Sequence, residues 1–310
     1  MSTKTAPPPL HRTGTRDAAE VAAELTGRRT RPGEVLFKLT LQLCLLIAFA
    51  FLIALITFAV YKGWNRLDPR LWENMPTGRA SRAAQAGVQS AITGTLWVIG
   101  LTAAICLPVG IASAIYLEEY ADNTRWYNRL LELNIQNLAG VPSIVFGILG
   151  LGLIARVIGL GFTVITAAIV LSLLVLPTVI IASREALRAV PQSIRHASYA
   201  LGATRWQTTW RQVLPAGIPG MATGAILALS RALGEAAPLI LLGAVTFIRF
   251  NPDSPLSSYT TLPIQIYNLI KEPQAEFQEL AAAAIVLLLV ILLLMNSAAI
   301  GIRNRFQKRW

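Results

Sequence analysis

No Gly-Lys-Ser or Gly-Lys-Thr triplet occurs anywhere in the 310 residues of this chain. A phosphate-cradling loop of the GxxxxGK[ST] kind needs that lysine together with the backbone amides that precede it. Any ATP-driven process involving the chain therefore draws its energy from another subunit, the other source being an ion gradient. His-Glu-x-x-His, Cys-x-x-Cys and Gly-x-Ser-x-Gly are also absent, which removes the motifs for intramembrane hydrolysis. Two histidines are little material for a proton relay. The two cysteines, Cys44 and Cys106, both fall inside apolar runs and imply neither a disulfide framework nor a metal site. No catalytic residue and no metal ligand is expected, so the chain reads as a non-enzyme.

Charge is scarce too, at 14% of residues, against 54% hydrophobic residues and a mean hydropathy of +0.55. This balance excludes an ordinary soluble domain and indicates an all-α polytopic membrane protein. A bilayer span takes about 20 apolar residues. Six segments qualify, at 36–61, 88–117, 138–160, 162–183, 217–248 and 280–302. Gly159-Leu160-Gly161 leaves room only for a tight turn between the third and fourth. Residues 1–35, rich in Pro, Thr, Arg and Ala without apolar periodicity, read as a disordered basic tail. No signal peptide is expected, because the first apolar run is too long for one and lacks a clear cleavage site.

Lys and Arg in the loops set the orientation. With both termini in the cytoplasm, the outer loops receive Lys62, Arg66, Arg70, Arg79, Arg82, Arg249 and Lys271, and the cytoplasmic segments more than twice as many. The net charge of +11 then follows from topology, with anionic lipid headgroups as counterions and no nucleic-acid role.

Between the fourth and fifth spans, about 184–214, lies a basic, capped insert, with PQSIRHASYALGATRWQTTWRQVLP at 191–215. Pro191 suits a first helical turn and Gly202 the left-handed residue that ends a helix. Ile194, Ala197, Ala200 and Leu201 form a modest apolar face, with Arg195, His196 and Tyr199 on the rest. Such a face is too small for a core but fits a groove. Gly202 redirects the chain into a second amphipathic piece, Trp206 to Val213, expected to stop at Leu214-Pro215.

Inside the fifth span, SRALGEAAPLIL carries Arg231 and Glu235 four residues apart. On a continuous helix they share a face with Ala228, Gly224 and Gly220, and with Pro238 beyond. A charge at mid-bilayer costs about 2.5 to 3.5 kcal/mol and needs a partner or water. Two readings follow: an ion pair that sets helix packing, or a guanidinium that meets a passing oxyanion bidentately.

The insert resembles the EAA loop of ABC importer permeases: His196-Ala197-Ser198 stands at the Glu-Ala-Ala position, Gly202 at the required offset, and Leu214-Pro215 closes the motif. The Glu is lost, and Gln212 holds the aliphatic place. AIYLEEYA with NLAGVPSIVFGILGLGL at 114–153, SRALGEAAPL at 230–239, and TLPIQIYNLI with PQAEFQELAAAAIVLLL at 261–289 are similar to PstA-type permeases of bacterial phosphate importers. The resemblance implies a type I ABC importer permease fold over 36–310 in the bacterial cytoplasmic membrane. It implies a second permease of the PstC type, two ATPase subunits carrying the ATP and Mg, and an extracytoplasmic phosphate-binding protein as partners. It assigns Ile194, His196, Ala197, Leu201 and Gly202 to coupling with the ATPase, and Arg231 and Glu235 to the substrate path. The alternatives are a permease for molybdate, sulfate or phosphonate, and a gradient-driven secondary transporter.

Overall fold

A computed structural model describes residues 32–122, 124–242 and 248–306. The expected tail lies outside the described residues up to residue 31, as do Lys308 and Arg309. The chain divides into two compact units, Met1–Leu55 and Ile56–Trp310. Helix α1, Pro32–Gly63, begins in the first and ends in the second. It starts ahead of residue 36, because a proline with its preset φ suits a first helical turn.

The second unit contains α2 (Gln89–Tyr120), α3 (Trp126–Ala139), α4 (Ser143–Val157), α5 (Val164–Arg188), α6 (Gln192–Ala200), α7 (Arg205–Gly234), α8 (Ala237–Leu241), α9 (Leu262–Lys271) and α10 (Ala275–Phe306). Among the described residues the only β contact is an isolated antiparallel bridge, Thr163 to Ser258. Among the described residues, five helices are long and apolar enough to cross a membrane, and the bent pair α3 and α4 makes a sixth if it counts as one span.

Helix α5 is central, packed on α2 along one side and α7 along the other. Small residues let α5 and α7 approach: a Cβ on Gly220 would lie 2.6 Å from the Ala186 methyl, and one on Gly224 would meet Ala182. Such contacts replace the hydrophobic drive that helices lack in lipid. Between α2 and α5, Ser172 Oγ donates to the Thr102 carbonyl at 3.3 Å. Buried Val170, Leu171, Leu174, Val175 and Val179 of α5 fill the core around these contacts.

Two expected spans are broken. The segment 138–160 is not one helix, because α3 and α4 meet at 105° across Gly140-Val141-Pro142. A proline disfavours helical backbone in the residue before it, and Pro142, with φ −56° and ψ 137°, starts α4 as its N-cap. The segment 217–248 breaks after Gly234, where Glu235 turns extended (φ −81°, ψ 115°) and the chain restarts as α8. Residues 243–247 lie outside the described residues. Helix α8 lies on α4 at Gly147, where a Cβ would sit 2.8 Å from the Pro238 backbone. The turn between α4 and α5 is as expected, with Gly159 (φ +82°) and Gly161 (φ +66°) both left-handed.

Loop 255–258 closes the start of α5: Val164 N–H donates to the Ser257 carbonyl at 3.0 Å and Ile165 N–H to that of Pro255 at 2.9 Å. Ser258 and the α6 end of α5 therefore sit at opposite ends of that helix. In a background lacking Cys44 and Cys106, cysteines at exposed Ser193 and Asn304 are expected to react with an impermeant maleimide only from the cytoplasmic side, and one at exposed Ser258 only from outside. Labelling of position 193 from outside in sealed cells would overturn the six-span topology.

Candidate functional site

The capped insert forms as two helices joined by a left-handed glycine. Helix α6 ends in a closed hydrogen-bond pattern: Gly202 N–H donates to the Tyr199 carbonyl at 2.9 Å and Ala203 N–H to that of Ser198 at 3.2 Å. Gly202 has φ +81°, the conformation this pattern requires of the residue after the helix. Thr204 then caps α7, its Oγ1 accepting from Gln207 N–H at 3.3 Å while the Gln207 side chain accepts from Thr204 N–H at 2.9 Å. Ser198 Oγ lies 2.9 Å from Thr208 Oγ1 and holds the two helices together. Contrary to expectation, α7 does not stop at Leu214-Pro215. A π-helical stretch, Thr209–Val213, precedes the proline, and the helix runs on. Widening the turn there accommodates a residue that cannot complete the regular α-helical ladder.

Burial on α6 differs from the sequence reading at one position. Arg195, expected on the polar face, is 6% exposed, as is its partner Glu119. Its Nη2 lies 2.6 Å from Glu119 Oε1 and 3.0 Å from the Leu187 carbonyl, and its Nη1 donates to the Val190 carbonyl at 2.7 Å. Val190 lies just past α5 and supplies a free carbonyl, while the Leu187 carbonyl, which already accepts from Val190 N–H at 3.2 Å, takes the guanidinium as a second donor. One guanidinium thus caps α5, neutralises the end of α2 and anchors α6. The neighbouring Glu118 takes Arg184 (3.4 Å) and Arg188 (3.1 Å) of α5, and Arg184 also reaches Glu132 of α3 at 2.8 Å. Successive residues on a helical turn point in different directions, so the two carboxylates of the π-helical turn Tyr116–Tyr120 serve two different elements.

These residues were missed in the sequence. The available signals were a carboxylate pair at the end of an apolar run and arginines spaced i, i+4 at 184 and 188.

The rest of α6 faces outward. His196, Ala197 and Tyr199 are exposed, Leu201 is 89% exposed, and Ile194 is half-buried against the core cluster holding Leu187 and Val213. Trp206 and Trp210 stack at 5.3 Å on the adjoining surface, both exposed. A cleft of about 530 Å³ lies between α6 and the start of α7, lined by Ile194, Ala197, Leu201, Gly202 and Arg211 among others. The arrangement is a rigid platform tied to two membrane helices, with its apolar side chains uncovered.

Arg231 and Glu235 are not brought together. They form no ion pair within 4.0 Å, because α7 ends at Gly234 and Glu235 leaves the helical path that i, i+4 pairing needs. Pro238 occupies the first turn of α8, where a missing N–H costs nothing. Gly220 and Gly224 pack on α5, and Ala228 is buried in the core cluster that α5 fills. Contacts of Gly220 with Ala186 and of Gly224 with Ala182 fix an antiparallel register. Carried forward, it sets Arg231 level with about Val175, near the middle of α5 (Val164–Arg188). Arg231 is exposed there on the described chain, one turn before a helix break.

Among the described residues, five helices that can cross a membrane, a bent pair that makes a sixth, a helix broken after Gly234 and a connection with exposed apolar side chains define an integral membrane component. The match to the family of binding-protein-dependent transport system inner membrane components covers residues 106–309, and the chain belongs to that family. Among solved structures, a bacterial ABC transporter involved in import of the acidic polysaccharide alginate matches with TM-score 0.55 and 20% identity, over 89% of this chain and all of that one. Curated relatives include the phosphate transport system permease protein PstA 1 of Mycobacterium tuberculosis, 33% identical over 74% of this chain and 74% of its own length. The probable ABC transporter permease protein YqgI of Bacillus subtilis is 32% identical over 73% of this chain and 80% of its own.

Proposed function

We propose that the chain is the PstA-type half of the membrane pathway of an ATP-driven phosphate importer. It pairs with a second permease of the PstC type and docks α6 on one of two ATPase subunits, which hold the ATP and Mg. An extracytoplasmic phosphate-binding protein delivers the substrate, in the bacterial cytoplasmic membrane, with both termini of this chain inside. The observation that carries this reading is α6 itself: an uncovered apolar platform held to the ends of α2 and α5 by the buried Arg195–Glu119 pair. Curated relatives named as phosphate permeases support the substrate.

In this reading His196, Ala197, Leu201 and Gly202 meet the ATPase, Ile194 seats the platform, and closure of the ATPases is passed by Arg195 to α2 and α5. Arg231 presents a full positive charge to the anion at mid-span, and Glu235 marks the helix break beside it. ATP-driven uptake of labelled phosphate by the assembled complex in vesicles tests the reading. Uptake that needs ATP, survives an uncoupler and is not displaced by sulfate or molybdate is expected. Collapse with the uncoupler, or equal competition by another oxyanion, would overturn it.

Gly202→Val probes the coupling element separately. No neighbouring atom lies within 4 Å of a Cβ built on Gly202, so the cost is purely that of the left-handed backbone, about 1–2 kcal/mol and more for a branched side chain. The variant is expected to insert and assemble, with uptake and substrate-stimulated ATP hydrolysis both reduced. Wild-type values for both would remove α6 from the coupling path.

A further inference from the structure

Seven Lys and Arg residues lie in the loops assigned to the outside, the side where basic residues have no topological role. One of them is structural: Arg66 is buried, and its guanidinium donates to the carbonyls of Ala83, Ala84 and Ala86, at 3.2 Å and 2.7 Å for the first and last. Three of the others, Arg70, Arg82 and Arg249, line a single cavity of about 520 Å³ with Asn74, Thr77 and Gln85. We infer that this cavity is a second anion site, which takes a phosphate-type oxyanion at the outer face before it enters the membrane path.

Two neighbouring segments, 70–77 and 82–85, and the distant Arg249 build the cavity, and each is fixed by hydrogen bonds beneath it. Arg70 opens the short helix Arg70–Glu73, and Arg82 sits in the turn Ala80–Gln85. Asn74 Nδ2 donates to the Gln85 carbonyl at 2.8 Å and Val88 N–H to the Leu71 carbonyl at 2.8 Å, binding these two pieces together. Gly87 is wedged between the Arg70 and Asn74 carbonyls so tightly that no Cβ fits. Arg249 is held between two anchors on α2: Ser90 Oγ donates to the Ile248 carbonyl at 2.8 Å, and Thr93 Oγ1 to Asn251 Oδ1 at 3.1 Å. The backbone is rigid while the guanidinium groups stay exposed.

Charge is not balanced within the cavity. Asp68 approaches Arg70 at 3.9 Å, with the Arg70 side chain 66% exposed, a separation at which pairing contributes little. Among the described residues no carboxylate lies within 4.0 Å of Arg82 or Arg249. Guanidinium groups that line one cavity repel one another until an oxyanion comes between them, and their planar fork suits tetrahedral oxyanions. The cavity is larger than a bare oxyanion needs, so the ligand enters partly hydrated and exchanges readily. A concave cationic mouth of this kind raises the local anion concentration and its rate of entry. It stands at the start of α2, a helix of 32 residues, about 45 Å from the Glu118–Glu119 end. Its concavity and polar lining favour a small anion over the acidic surface of a docking protein.

The identity of the anion as phosphate rests on the proposed function; the existence of the site does not. The test uses the full chain in nanodiscs of neutral phosphatidylcholine, with radiolabelled inorganic phosphate as the probe. Saturable, salt-sensitive binding is expected, weakened at least tenfold by Arg82→Gln with Arg249→Gln. Both substitutions lie at exposed positions, and a monodisperse elution profile confirms the fold. Loss of binding on adding phosphatidylglycerol to the discs would keep the site and identify a lipid headgroup as its occupant. Phosphate binding that the double variant leaves unchanged would overturn the inference. So would a double variant that loses only capture of the substrate-binding protein while phosphate binding persists. If phosphate binds the cavity and yet the assembled complex transports no phosphate, the proposed function falls and the site stands.

Discussion

Arg195→Met is expected to destabilise the chain by about 3–5 kcal/mol, the usual loss when one member of a buried ion pair is removed. Glu119, 6% exposed, would be left without its counter-charge, the Val190 carbonyl would lose its donor and the Leu187 carbonyl one of its two. Thermal unfolding in detergent is the first measurement. Adding Glu119→Gln removes the stranded carboxylate and is expected to recover most of the stability. Transport behaves differently: the double variant still lacks the strut from α6 to α2 and α5, so phosphate uptake stays low while the protein assembles. Arg195→Lys keeps the charge but cannot reach three acceptors in fixed directions, and is expected to fall between. Unaltered stability and uptake in Arg195→Met would show that the pair neither holds nor couples the platform.

The second large effect concerns Arg231. Arg231→Gln is expected to lower ATP-driven phosphate uptake by roughly 10- to 100-fold, since a hydrogen bond to a charged group is worth about 1.5–3 kcal/mol and each 1.36 kcal/mol is tenfold in rate. Glu235→Gln added to it is expected to give no rescue, because the two side chains form no ion pair within 4.0 Å and Glu235 lies beyond the end of α7. Arg231→Lys is also expected to be impaired, as the ammonium cannot offer a planar fork. Full recovery of uptake in the double Gln variant would mean that the two charges only balance one another, and would remove Arg231 from the permeation path.

Local signals were legible where backbone chemistry alone decides. Gly202 ends α6 in a left-handed conformation, and Gly159 and Gly161 make the turn before α5, since each turn needs positive φ and glycine adopts it without strain. Apolar run length placed the spans at 36–61, 88–117, 162–183 and 280–302 for a similar reason, because a bilayer demands about 20 apolar residues whatever their packing. The reading failed where a distant segment competes with local pattern. The apolar run at 217–248 is long enough for one span, yet the chain leaves its helix at Glu235 and α8 lies on α4 at Gly147. Arg195 looks like a surface residue beside His196, and only its meeting with Glu119, brought from the end of α2, makes burial tolerable.

The sequence by itself determined that this chain is an all-helical membrane component with no Gly-Lys-Ser or Gly-Lys-Thr triplet and one capped, basic connection. Composition, run length and spacing are one-dimensional quantities, and lipid, backbone φ and helix capping respond to them directly. Tertiary structure alone decided that Arg231 and Glu235 part company, that Arg195 joins α2, α5 and α6, and that Arg70, Arg82 and Arg249 share one cavity. Ion pairs and converging charges depend on distances across the fold, and those are set by which small residues let which helices touch.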